Sequence, residues 1–408
     1  MDVCVLGAGI VGLATAYELD RLGMSVTVVD RDTAGSGATG GNGAQLSYSY
    51  VQPLADPSIW LQLPKLMLWP DSPLKLRPQW DPQQWRWGLA FMQACNAPTS
   101  ADTTARLLAL AASSRAGFDL MREVEKPDCD YSSTGKLVLY PTAASFAAAQ
   151  RQLALQSKLG SQQAAITPQA CCDLEPALDG YAPQIAGAIH TPSECAVDGL
   201  KLCRELERIL RARGVKFVLG NTVNALAQRQ GRVTAAHTSE GPLEADHFVL
   251  AMGPQSVAMA RTAGIRLPVY PIKGYSITLD LAQGSDHSAP RINVTDMARK
   301  VVFARLGNRL RVAGMAELVG HNPHIRPPAI ASLLRSTRTV LPGLALSGSE
   351  HPWAGLRPAT PTGLPIVGVQ PGGPGNLVVN TGHGALGLTL AFGTARQVGQ
   401  QLLRAPLH

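Results

Sequence analysis

The sequence of 408 residues predicts an α/β chain of two domains: a doubly wound parallel sheet flanked by helices, and an α+β domain with a mostly antiparallel sheet. Three observations carry this. An apolar strand, a glycine turn, a helix and a second strand follow one another within the first 30 residues. A second strand, glycine turn and helix close the chain at 376–403. Between them lie several β-rich segments, which need a sheet of their own. The length agrees, because a single core rarely grows past about 300 residues.

The first unit runs Asp2–Leu6 (strand), Gly7-Ala8-Gly9-Ile10-Val11-Gly12 (turn), a helix over 10–22 ending at Gly23, then Ser25–Val29 (strand) and Asp30. Gly7 permits the tight turn, Gly9 lets a pyrophosphate approach the backbone, and Gly12 lets helix and strand pack closely. The free N–H groups of the helix start favour phosphate charge. Asp30, with Arg31 beside it, stands 18 residues after the last glycine. That spacing suits a carboxylate accepting from a ribose 2′-OH, and the same charge repels the 2′-phosphate of NADP. The following loop, Gly35 to Gln45, holds Asn42-Gly43-Ala44-Gln45 and is too glycine-rich for a plain crossover. Such a loop brings backbone N–H groups up to a large flat ligand.

Five of the six tryptophans fall between Trp60 and Trp87, among leucines, basic residues and five prolines. Two readings stand: a surface facing a membrane or quinone, or a helical hairpin packed on the body of the protein. A formal net charge of +7 is modest for this length and not concentrated on one stripe, so nucleic acid is not an expected partner. Seven cysteines without a CxxC pair argue against a disulfide framework or a metal site, and for a reducing compartment. A first strand at residue 2 leaves no room for a secretion signal, and no apolar run reaches the length of a membrane span.

In the middle, helices are expected over 101–125 and 143–159, and a strand over 135–140. Asp198 is an N-cap for a helix over 199–213. Strands follow at 215–219, at 232–239 and at 245–250, the last two read as a pair with Val223 just before them. The strand at 245–250 runs into Ala251-Met252-Gly253, a small-residue turn of the kind that closes on a dinucleotide. Alternation begins at Tyr275, and Gly307-Asn308 marks a hairpin. Near the end come Gly355-Leu356-Arg357-Pro358 and Gly382-His383-Gly384-Ala385-Leu386-Gly387. The latter starts a helix whose positive end suits the negative pyrimidine side of a reduced flavin. Two glycine-rich helix starts suit one elongated dinucleotide held at two places.

On Gly7–Gly12, Asn42–Gln45, the segment 269–279, Gly314-Met315-Ala316-Glu317, Gly355–Pro358 and 380–387, the chain resembles the small, FAD-containing subunit of bacterial D-amino-acid dehydrogenase. That family lies within the D-amino-acid oxidase, glycine oxidase and sarcosine oxidase group. The resemblance implies a glutathione-reductase-type FAD-binding Rossmann domain, assigned to 1–55 with 160–265 and 352–408. The substrate domain is assigned to 56–159 with 266–351, with the Trp-rich stretch at 56–95. It implies noncovalent FAD, no metal, and hydride transfer from the Cα of a D-amino acid, whose imino product hydrolyses to a 2-oxo acid and ammonia. It implies electron delivery to a quinone or another respiratory acceptor, and peripheral attachment to the cytoplasmic side of the inner membrane. A partner subunit or oligomer is compatible with it. Arg357 matches the arginine that pairs with the substrate carboxylate, Tyr275 and Tyr50 match tyrosines near the substrate, and His383 lies beside the flavin. Lys273 reads as an ordinary surface or structural lysine. Ser47-Tyr48-Ser49-Tyr50 departs from the family's usual Ser-Pro-Gly-Tyr, and the chain stops at His408, where relatives often carry a longer tail. The open alternatives are an oxidase, a dehydrogenase of glycine, sarcosine or (hydroxy)proline type, a nicotinamide dehydrogenase, and a flavin-binding subunit without turnover.

Overall fold

The computed structural model describes residues 1–51, 53–57, 74–157 and 162–404. Trp60 and Trp69 lie outside them.

The parallel sheet has six strands in the order Ile366–Val369, Leu377–Thr381, His247–Leu250, Asp2–Leu6, Ser25–Asp30, Lys216–Leu219. All neighbours are parallel except the edge strand Ile366–Val369. Strand Asp2–Leu6 shows why both faces are covered. Val3 and Val5 join one apolar cluster with helices Ile10–Arg21, Gly199–Ala212 and Gly387–Arg404. Cys4 and Leu6 join another, with helix Ser256–Thr262 and a three-stranded sheet. Side chains two residues apart share a face, so a run of apolar residues fills both layers.

That three-stranded sheet corrects one expectation. Strand Arg232–Thr238 pairs with Val223–Arg229 and Gly241–Glu244, and not with the strand that ends at Leu250, which lies beside Asp2–Leu6. The segment before Leu250, His-Phe-Val-Leu, is buried throughout and belongs in the centre of a parallel sheet.

The second sheet runs Leu346–Ala359, Tyr270–Leu281, Arg309–Leu318, Val301–Leu306, Asn293–Asp296, Lys136–Tyr140, Gly187–Thr191, Ala164–Ile166, with Leu74–Leu76 added beside Arg309–Leu318. Two pairings are parallel and the others antiparallel. The hairpin at Gly307-Asn308 forms as its sequence predicts, with Gly307 at φ 60°. Helix Pro327–Val340 and the segment 168–184 cover one face, burying Leu137, Leu139, Ile277, Phe303 and Val312. The residues between these alternate to the other face, which looks toward the parallel sheet.

The domain boundaries differ from the assignment at three places. Strands Ala164–Ile166 and Gly187–Thr191 join the large sheet, because Ala188 and Ile166 complete its helix-covered core. Strand Leu346–Ala359 runs unbroken through 352. Helix Ala97–Glu125 packs on the parallel-sheet side, against Gly387–Arg404. A Cβ on Gly393 would lie 2.6 Å from the Leu110 carbonyl, so the close crossing of these helices needs a glycine there. An ion cluster also joins the layers: Arg309 reaches Asp130 at 2.7 Å and the N-cap Asp198 at 2.9 Å.

Candidate functional site

One cavity of about 1040 Å³ runs between the two sheets. It exceeds the roughly 300–1,000 Å³ usual for a drug-sized ligand, so a dinucleotide and a small substrate fit together.

At one end stand Gly7, Gly9, Ile10, Val11, Asp30 and Arg31. Gly7 has φ +113°, and a Cβ there would sit 2.5 Å from the Ala251 carbonyl. Gly9 faces open space, with only Thr39 Oγ1 at 3.7 Å from a notional Cβ. No acid stands in the first turn of helix Ile10–Arg21. The Asp30 carboxylate is held by the N–H groups of Ala8 (2.7 Å) and Asp32 (3.0 Å), leaving acceptor capacity for a ribose. Val223, Ala251 and Gly253 line the same end. Gly12 does not line the cavity: a Cβ there would fall 1.8 Å from the Gly7 carbonyl, so its smallness serves helix–strand packing.

The middle is walled by Gly35–Thr39 and Gly41–Gln45 on one side and His383–Thr389 on the other. The large sheet fixes the loop. Ser276 Oγ donates to the Gly41 carbonyl (2.6 Å), Arg311 to the Asn42 carbonyl (2.8 Å), and the Gln45 amide to Val294 and Phe303 carbonyls. Asn42 Oδ1 accepts from the N–H of Ala44, which adopts φ 61°. Gly382 turns the chain at φ +85° against Thr360 and does not itself line the cavity. His383 Nε2 lies 3.0 Å from Thr394 Oγ1, and burial pushes its pKa down to about 3. The imidazole is therefore neutral, and it lines the cavity while engaged with Thr394. Gly384, Ala385, Leu386 and Gly387 continue the wall.

The far end holds the charged and aromatic residues of the wall. Arg357 reaches it from the edge strand, donating to the Met315 carbonyl at 3.2 Å. No carboxylate among the described residues pairs with it, and burial lowers its pKa from the arginine value. A buried guanidinium without a counter-ion is costly, and a ligand carboxylate relieves that cost. Gly274 makes the room, since a Cβ there would lie 2.2 Å from an Arg357 terminal nitrogen. Met315 sits at φ 63°, a strained value for its type, while presenting that carbonyl. Tyr275 lines the cavity with its hydroxyl donating to Glu317 (2.8 Å), and Tyr50 lines it with its hydroxyl near Met297 Sδ (3.6 Å). Gly355 is not at the cavity: it clears space for the Trp353 ring, which is. Lys273 is the structural lysine that its sequence reading allowed, and not a surface one. It is buried, 3.6 Å from Glu317, and donates to the His324 carbonyl, away from the cavity.

Lys136 is among the wall residues that the sequence reading did not name, while Ser47 and Met315 were named there without a place at the wall. For Lys136 the available signal is the alternation Lys-Leu-Val-Leu-Tyr, which sets a lysine on the face opposite two core leucines. Among the described residues no group of three or more His, Cys, Asp or Glu is arranged to hold a metal ion.

The family model described as FAD dependent oxidoreductase (DAO) matches residues 2–401. A "D-amino acid dehydrogenase 2" of Ralstonia nicotianae is 43% identical over 415 residues, covering 99% of this chain and 97% of that protein. Another so named, from Pseudomonas aeruginosa, is 43% identical over 407 residues, covering 99% and 95%. Among solved structures, glycine oxidase from Bacillus cereus superposes with a TM-score of 0.75 at 20% identity, covering 98% of this chain and 94% of that one. L-proline dehydrogenase from P. horikoshii does so with 0.77 at 16% identity, covering 98% and 92%.

Proposed function

The chain belongs to the FAD dependent oxidoreductase (DAO) family, and from that premise we propose that it oxidises the Cα–N bond of D-amino acids, as a D-amino-acid dehydrogenase. The supporting observation is the unpaired Arg357 at the end of a cavity whose remaining length suits FAD. The glycine turn at 7–12, Asp30 and the loop 35–45 would hold the cofactor's nucleotide and ring system, and the helix start at Gly387 the pyrimidine side. FAD, when bound, supplies the two-electron acceptor for the Cα hydrogen. The protein's own work is positional: Arg357 grips the carboxylate in a planar fork, and Tyr275, braced by Glu317, and Tyr50 narrow the remaining space.

The test is anaerobic. The yellow protein is mixed with D-alanine, D-proline, their L-isomers, glycine and sarcosine, and the flavin absorbance followed. Bleaching by D-isomers alone supports the reading; bleaching by glycine or sarcosine alone sinks it.

We further propose a quinone as electron acceptor at the cytoplasmic side of the inner membrane, with a D-amino acid as the small-molecule partner. Support comes from the described part of the Trp-rich stretch. Trp80, Trp85 and Leu89 are exposed around helix Pro82–Ala94, while Trp87 is buried, donating to the Ala359 carbonyl at 2.8 Å. Among the described residues one tryptophan of the stretch is packed inward and two face outward. No helix among the described residues is long and apolar enough to cross a membrane. Reoxidation of the reduced protein by a water-soluble quinone much faster than by air is the expected result.

A further inference from the structure

We propose that Lys136 accepts the proton that the substrate's ammonium group must lose before its Cα–H bond breaks, with Ser47 holding the lysine amine at the cavity wall. This rests on the amino-acid-oxidising reading above. At neutral pH an amino acid is a zwitterion, and its ammonium nitrogen has no lone pair with which to form the C=N bond of an imine. One N–H bond must first break heterolytically. Its electron pair stays on the substrate nitrogen, and the proton joins the lone pair of a neutral Lys136 Nζ, which becomes an ammonium. Nothing is oxidised in this step.

The other titratable groups on the wall are poorly placed or engaged. Asp30, Arg31 and Asp32 stand at the nucleotide end. Asp56 faces Cys95. His383 is tied to Thr394, and the Tyr275 hydroxyl to Glu317. Lys300 is exposed, and Arg357 is a fixed cation. Lys136 differs from all of these. It is 3% exposed, its Nζ donates to Ser47 Oγ at 2.8 Å, and it sits 4.7 Å from the Tyr50 ring centre. No ion pair joins it to any described residue. Ser47 is anchored in turn, its N–H donating to Thr389 Oγ1 (3.2 Å) in the first turn of helix Gly387–Arg404. The lysine therefore lies where the flavin-holding helix and the substrate-side wall meet.

A lysine buried without a counter-ion favours its neutral form. Desolvation pushes Lys136 down to about 8, with the field of Glu194 opposing. Glu194 comes from the turn before strand Cys195–Ala196, is itself buried, and accepts from the Ser49 N–H (2.7 Å). The other groups facing this corner are Tyr50, Tyr140 on the same strand, and Lys300 beyond Met297, while His190 is in register with Leu137 on the opposite face. Thr191 and Asn293 flank Lys136 in register and do not titrate.

The test is the rate of flavin bleaching at saturating D-amino acid against pH, for the FAD-loaded wild type, Lys136→Met and Ser47→Ala. The wild type should lose rate about tenfold per pH unit below about 8, where Lys136 is already protonated. Lys136→Met should be slower by about 10²-fold at pH 7, with its acid limb moved up by a unit or more. Ser47→Ala keeps the base but removes the acceptor favouring its charged form, so its limb should move to lower pH. Ethylamine should rescue Lys136→Ala. A readout without turnover is benzoate affinity, followed through the flavin band. It should strengthen in the wild type as pH falls through about 8, and this step should vanish in Lys136→Met. A yellow Lys136→Met within about threefold of the wild type at pH 7, with an unmoved limb, overturns the proposal alone. A wild type bleached by no amino acid overturns the functional reading and this inference with it.

Discussion

Single residues of the cavity wall carry opposite electrostatic duties. In the proposed function Arg357 holds the substrate as a cation, so its replacement should remove an anchor and leave the cofactor alone. Arg357→Met should remain yellow yet lose about 10²-fold or more in kcat/KM, roughly 3 kcal/mol of carboxylate binding, measured by steady-state kinetics. His383 must stay neutral. Its folded-state pKa near 3, against 6.5 when unfolded, means that unfolding takes up a proton between those values. The stability it contributes is whole above pH 6.5 and drains away as pH falls toward 3. His383→Asn should flatten the fall of Tm with acid between pH 6.5 and 4 in thermal melts, while the acid limb of activity stays in place. Of these side chains, Arg357 was legible from its Gly-Leu-Arg-Pro setting. Lys136 was not, because a lysine at the mouth of a short strand resembles any solvated charge until the neighbouring segment at Ser47 folds over it.

At the level of elements, glycines decide where backbones and side chains meet. Gly274 lies across from Gly355 in adjacent strands, and the two clear space for Arg357 and Trp353 respectively. Gly274→Ala should push the guanidinium aside, raising KM about tenfold or more with flavin content and Tm little changed; equal KM values for wild type and variant would contradict that. The N-terminal unit was readable almost residue by residue, because its turn, helix and acid follow in one local run. The partners of the strands at 164–166, 187–191 and 232–238 were not. Each pairs according to which face its apolar residues must bury, and that depends on neighbours far away in the chain. Helix Ala97–Glu125 was found correctly as a helix but placed with the wrong layer, since the glycine that admits it, Gly393, lies nearly 300 residues later.

For the whole molecule, the cavity is a joint between two sheets, and its occupant should act as a brace. Removing FAD should lower Tm by a few degrees in one cooperative transition seen alike by far- and near-ultraviolet circular dichroism. Restoring it at a hundred times its Kd should return about 2.7 kcal/mol. Unfolding in two well-separated steps with FAD present would show that the sheets are not coupled through it. The strand order carries a further consequence, for biosynthesis. Asp2–Leu6 leaves the ribosome before the other strands of its sheet, yet one of its two neighbours is His247–Leu250, and Leu377–Thr381 must follow before the sheet is complete. At 5–20 residues per second the opening strand waits about 12–50 s for that neighbour and longer for the next. Until then the face carrying Cys4 and Leu6 is uncovered and the nucleotide end of the cavity lacks its Ala251–Gly253 wall, so flavin loading belongs late in translation or after it, and nascent chains of this protein are natural clients for chaperones.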